Sequence, residues 1–144
     1  SRIRIARTRQ ERVTKPSAAE VLLGDLLVAR GLVVQPQFAV SRYNLDLAIE
    51  SPAIAIECFG GGWHASGHHY ERHVKRFRYL IANGWTCVIV WHGAGHGEIT
   101  DRAAAYVQSL ASDLVAATVA TRKYHVIRGS GMLAPAVKSC MNST

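Results

Sequence analysis

Hydrophobic positions along the chain switch between helical and extended spacing several times. From Ser17 to Gly31, the residues Val21, Leu22, Leu26, Leu27 and Val28 give a helix its apolar face, and the glycine stands where a helix C-cap is expected. Leu32-Val33-Val34 and Phe38-Ala39-Val40 read as short extended pieces broken by Pro36, leading through Tyr43-Asn44 into Leu45-Asp46-Leu47-Ala48-Ile49. A Ser51-Pro52 turn separates this run from Ile54-Ala55-Ile56-Glu57-Cys58-Phe59. Proline cannot sit in a central ladder, while the isoleucines favour a pleated, packed surface, so the two runs are expected to form a β-hairpin. Beyond the loop Ala65-Ser66-Gly67, a helix is expected from about His68 to Asn83, closed by Gly84, with Tyr70, Val74, Phe77 and Ile81 as its core stripe. Trp85 to Trp91 is an almost continuous apolar run, as a central strand buried on both faces requires. Thr100 is read as the cap of a helix from Asp101 to about Val119, with Tyr106, Val107, Leu110, Leu114 and Val115 available for packing. Tyr124-His125-Val126-Ile127-Arg128 reads as a last strand.

Strand, helix and strand from Ile54 through Val90 make a crossover unit, so the fold class is α/β with a mixed sheet flanked by helices. At 144 residues and 49% hydrophobic, the chain has material for one domain with a core. That domain is placed at 17–134, between a basic arm at 1–16 and a small, polar tail at 135–144 expected to be poorly ordered. No run reaches the roughly 18 to 20 apolar residues that cross a membrane, and the Arg-rich start is not a signal peptide. Beginning on Ser, the sequence reads as a piece of a longer protein. Cys58, Cys87 and Cys140 form no CxxC pair, which argues against a disulfide framework and points to a reducing, intracellular, cytoplasmic setting.

The net charge of +7 is concentrated at the start, where Arg2, Arg4, Arg7, Arg9, Arg12 and Lys15 stand against Glu11. Such an arm is either a nucleic-acid contact or a solubilising tail, and the alternation Arg2-Ile3-Arg4-Ile5 also suits a short edge strand. Arg72, Lys75, Arg76 and Arg78 on the middle helix suit a phosphate backbone, although a solvated face is the commoner cause of such a run. Asp46 and Glu57 are carboxylates inside apolar strands, where an ionised group needs a partner, and a hard divalent cation with oxygen ligands is one. The bland alternative is an edge hairpin whose acids face water. Ser17 followed three residues later by Glu20 is a capping box, which alone would justify that glutamate. His64, His68, His69 and His73 cluster, but without a clear third and fourth ligand zinc is rejected.

Acid, apolar strand, returning strand, Gly60-Gly61-Gly62 and Trp63-His64, followed by Gly84-Trp85-Thr86-Cys87-Val88-Ile89-Val90-Trp91, resemble the restriction-endonuclease-like nucleases. Within that superfamily they look like the very-short-patch-repair endonucleases and the related EDxHD phage homing endonucleases. The resemblance covers roughly Ser17 to Trp91. It implies a restriction-endonuclease-like core of phage type that hydrolyses phosphodiester bonds in double-stranded DNA with Mg²⁺ or Mn²⁺. Carried over, Asp46 is the metal-binding aspartate, the Cys58 backbone carbonyl a second ligand, Glu57 a further candidate ligand, His64 the general base and Glu20 a helix-borne acid. Trp63 joins Arg2, Arg4, Arg7, Arg9, Arg12, Arg72, Lys75 and Arg76 as a candidate DNA contact. Where the family has an acid after Glu-Arg, this chain has His73, which stands for a second proton carrier, a weakened site or an inactivating change. The repair enzymes' zinc cysteines have no counterpart here, and Gly61 and Gly62 lack the bulk that wedges into mismatched DNA. The alternatives are an inactive nuclease-like DNA-binding module and a mismatch or nick repair enzyme. Target sequence, cut geometry and any homodimer are not written in these motifs.

Overall fold

The computed structural model describes residues 16–60, 67–92, 97–118 and 120–129. Helix α1 (Ala18–Ala29) is followed by β1 (Gln35–Val40), β2 (Tyr43–Glu50), β3 (Ala53–Phe59), α2 (Gly67–Ala82), β4 (Thr86–Trp91), α3 (Gly97–Ala116) and β5 (Tyr124–Arg128). The five strands form one sheet in chain order. Pairs β1–β2 and β2–β3 are antiparallel, and β3–β4 and β4–β5 are parallel. The sheet is therefore mixed, as the crossover pattern requires.

Two apolar layers hold the sheet. On one face Leu47, Ile49, Ile54, Ile56, Val88 and Val90 meet Leu23 and Leu27 of α1 and Ile99, Ala103 and Val107 of α3. On the other, Leu45, Ala48, Ala55, Cys87, Ile89 and Trp91 meet Phe77 and Leu80 of α2. Strand β4 is buried along its whole length, as expected of a strand covered on both sides. Helices α1 and α2 both stop at glycines with positive φ, Gly31 and Gly84, each with the paired backbone bonds of a Schellman motif: Leu32 N–H to Leu27 and Gly31 to Val28, then Trp85 to Leu80 and Gly84 to Ile81.

Several expectations change. Leu32 to Val34 form no strand, and Pro36 lies inside β1, paired with Leu47. Proline is tolerated there because β1 is the edge of the sheet. Thr100 is fully buried inside α3 rather than capping it, and the helix ends at Ala116. On α2 the most buried line runs through His73, Phe77 and Leu80, with Tyr70, Val74 and Ile81 on its margins. The arm and the tail lie outside the described residues, apart from Pro16.

Candidate active site

The hairpin β2–β3 carries two carboxylates and α1 presents a third beside them. Registered pairing between β2 and β3 extends from Glu50–Ala53 to Leu47–Ile56 and no further. Beyond it, Asp46 substitutes its side chain for the backbone, and the Cys58 N–H donates to Asp46 Oδ2 at 2.8 Å. Burial pushes the Asp46 carboxyl up to about 8, helped by the charge of Glu57 and a side-chain hydrogen bond with it, against the opposing Cys58 N–H and the charge of Arg76.

Glu57 is only 3% exposed and points to the opposite face from Ile56, where Arg76 of α2 forms an ion pair with it. The same guanidinium donates to the Asn44 carbonyl and lies over the Tyr43 ring, 5.5 Å from its centroid. The helix pattern points Arg76 toward phosphate; its guanidinium is instead turned to the hairpin, because a carboxylate buried in β3 requires a cation there. Arg72 and Lys75 do not follow it into the hairpin, and both are exposed.

Glu20 reaches the hairpin from the first turn of α1. Ser17 caps the helix by accepting from the Glu20 N–H at 3.2 Å, and its hydroxyl donates to Glu20 Oε1 at 3.2 Å. The other carboxylate oxygen, Oε2, accepts from Gln37 Nε2 at 3.1 Å. Burial raises the pKa of Glu20, and the charge of Asp46 raises it further, with the Ser17 and Gln37 hydrogen bonds opposing both. The capping role and the approach to Asp46 thus coexist. A cleft of about 280 Å³ opens beside Glu20 and Asp46, walled by Val21, Val28, Val34 and Pro36.

Among the described residues, three carboxylates therefore share this corner with one guanidinium, which is committed to Glu57. The electrostatics of Glu20 and Asp46 call for another cation, and an all-oxygen donor set suits a hard divalent ion. Among the described residues no group of three or more His, Cys, Asp or Glu side chains is arranged to hold a metal ion; two carboxylates with a main-chain carbonyl make a smaller set. Burial raises the Cys58 thiol, which disfavours a thiolate ligand or nucleophile there.

His73 sits one turn before Arg76 on α2, among aromatic rings. It is 4% exposed; its Nε2 is 2.7 Å from the Tyr124 hydroxyl, its ring packs on Phe77 with centroids 4.5 Å apart, and Phe59 meets it edge-on. The structure groups Glu20, Asp46, Glu57 and Cys58 but sets His73 among aromatic rings. His64, Trp63 and the arginines of the arm lie outside the described residues. Sequence reasoning misses Gln37. The signal that finds it is positional, since it faces Asp46 once the β1–β2 turn is placed at Ser41-Arg42.

A mixed sheet entered by an antiparallel hairpin that bears acids, with a helix-borne glutamate beside it, defines a restriction-endonuclease-like α/β domain. Residues 20–95 match the sequence model of the restriction endonuclease family REase_MTES_1575, and the chain belongs to that family. Among solved structures, the chain is similar to "Homing Endonuclease I-Bth0305I Catalytic Domain", with 13% identity and a TM-score of 0.45 over 69% of this chain and 91% of that one. No curated protein matches the chain.

Proposed function

We propose that this domain is a divalent-metal-dependent endonuclease that hydrolyses phosphodiester bonds in double-stranded DNA, of the homing-endonuclease type. The observation that carries this reading is Asp46, partly buried in β2 and held by the Cys58 N–H, with the carboxylates of Glu20 and Glu57 beside it. Asp46, the Cys58 carbonyl and Glu20 would hold Mg²⁺ or Mn²⁺. Such an ion, when bound, supplies Lewis-acid stabilisation of charge on a phosphoryl oxygen. Within the chain, Asp46 is oriented by the Cys58 N–H, Glu20 by Ser17 and Gln37, and Arg76 pairs with Glu57, which leaves Asp46 and Glu20 as the carboxylates available to a cation. His64 is assigned as the base that takes the proton of the attacking water. Arg72 and Lys75, with the arginines of the arm and Trp63, are assigned to DNA.

A second reading, an inactive DNA-binding module, is favoured by one observation: His73, at the position of the family's last acid, is enclosed by Tyr124, Phe77 and Phe59. One assay separates the two. Supercoiled plasmid with Mg²⁺ should be nicked by the unmodified chain and left intact by Asp46→Ala, which should still bind DNA. Cleavage by Asp46→Ala at the unmodified rate would overturn the assignment, and silence of the unmodified chain would favour the inactive module.

A further inference from the structure

We infer that Gln37 is a positioning residue that sets the metal affinity of this site by fixing the carboxylate of Glu20, an inference that rests on the metal-binding reading above. Three observations converge on it. Its Nε2 donates to Glu20 Oε2 at 3.1 Å across two elements, from a position 17 residues away in sequence. It stands opposite Asp46, because the flanking pairs Pro36–Leu47 and Phe38–Leu45 leave these two residues facing each other. Its backbone is left-handed, with φ of 50°, in an edge strand. That conformation suits glycine or asparagine and is costly for an ordinary side chain. Glutamine there is explained by what its amide reaches.

The consequence is geometric. With Ser17 on Oε1 and Gln37 on Oε2, Glu20 is held against swinging out to water, although repulsion from Asp46 pushes it that way. A carboxylate already fixed loses less freedom when it meets a cation, and partners of this kind commonly change metal affinity by about 10- to 100-fold.

Gln37→Asn and Gln37→Gly test the role, since both suit a left-handed backbone but neither can reach Glu20. Mn²⁺ titration by calorimetry should show affinity weakened by about 10-fold or more in both, while the metal-free proteins still melt cooperatively, at or above the unmodified value, because both residues relieve the left-handed strain. In a Glu20→Gln background, Gln37→Asn should cause little further loss, because the two side chains act as one unit. Unmodified Mn²⁺ affinity in both single variants, or losses that simply add in the double variant, would overturn the inference. Asp46→Ala serves as the separate control. If it binds Mn²⁺ as the unmodified chain does, the metal reading of the site falls. If it binds weakly while Gln37→Asn binds normally, only the role of Gln37 falls.

Discussion

Asp46 is costly to keep ionised in the folded chain, and that has a sign that can be measured. Its folded pKa of about 8 lies well above the ordinary 3.8, so between these values the folded state holds a proton that the unfolded state has released. Stability of the metal-free protein should therefore be greatest below about pH 4 with respect to this group and decline as pH rises toward 8. Asp46→Asn cannot ionise and should lose that slope, exceeding the parent in stability at pH 8 by on the order of 2 kcal/mol while failing to cleave DNA. Urea titrations of both proteins at pH 5 and pH 8 check this, and parallel behaviour would show that Asp46 is not desolvated. Two acids of this corner were legible in the sequence because an ionisable residue in an apolar strand is conspicuous. Gln37 was not, since an amide beside a proline carries no hydrophobic or charge signal and acquires meaning only through register and backbone handedness.

Among the elements, the hairpin and the buried strand β4 could be read because their patterns match their environments: a turn proline between isoleucine-rich runs, and apolar residues without alternation. What was missed depended on neighbours. Pro36 belongs to a strand only because β1 is an edge, and Thr100 is interior because α3 begins a turn earlier than its cap signal suggested. His73 and Arg76 sit one turn apart on α2, yet one enters an aromatic cluster and the other an ion pair, a division that helical periodicity alone does not draw. The ion pair joins α2 to the hairpin that bears the acids. Glu57→Ala leaves the largely buried guanidinium without its carboxylate and should destabilise the protein by about 3 kcal/mol. Adding Arg76→Met should recover much of that loss, because the orphaned charge is removed. Chemical denaturation of the two variants decides it: a double variant no more stable than Glu57→Ala alone would show that the stranded guanidinium is not what destabilises the single variant.

At the scale of the whole molecule, Glu20, Asp46 and Glu57 lie together at one corner of the sheet, whereas Arg2, Arg4, Arg7, Arg9, Arg12 and Lys15 precede α1, whose first turn holds Glu20. An acid-lined site repels a phosphate backbone, so an endonuclease built this way needs cations nearby to bring DNA against its own carboxylates. The arm is attached next to the cleft, since Pro16 is among the residues of its rim, and Arg72 and Lys75 present further charge on α2. If the arm arginines neutralise phosphates, deleting residues 1–15 should make the slope of log affinity against log salt shallower, by up to about 0.9 for each phosphate that is no longer neutralised. Replacing Arg72 and Lys75 by Ala should add a smaller, separate reduction. Fluorescence anisotropy with a duplex over a range of NaCl concentrations, using catalytically silent Asp46→Ala as the parent, measures both slopes without cleavage. An arm deletion that leaves the slope unchanged would return those arginines to a solubilising role and leave α2 to carry the encounter with DNA.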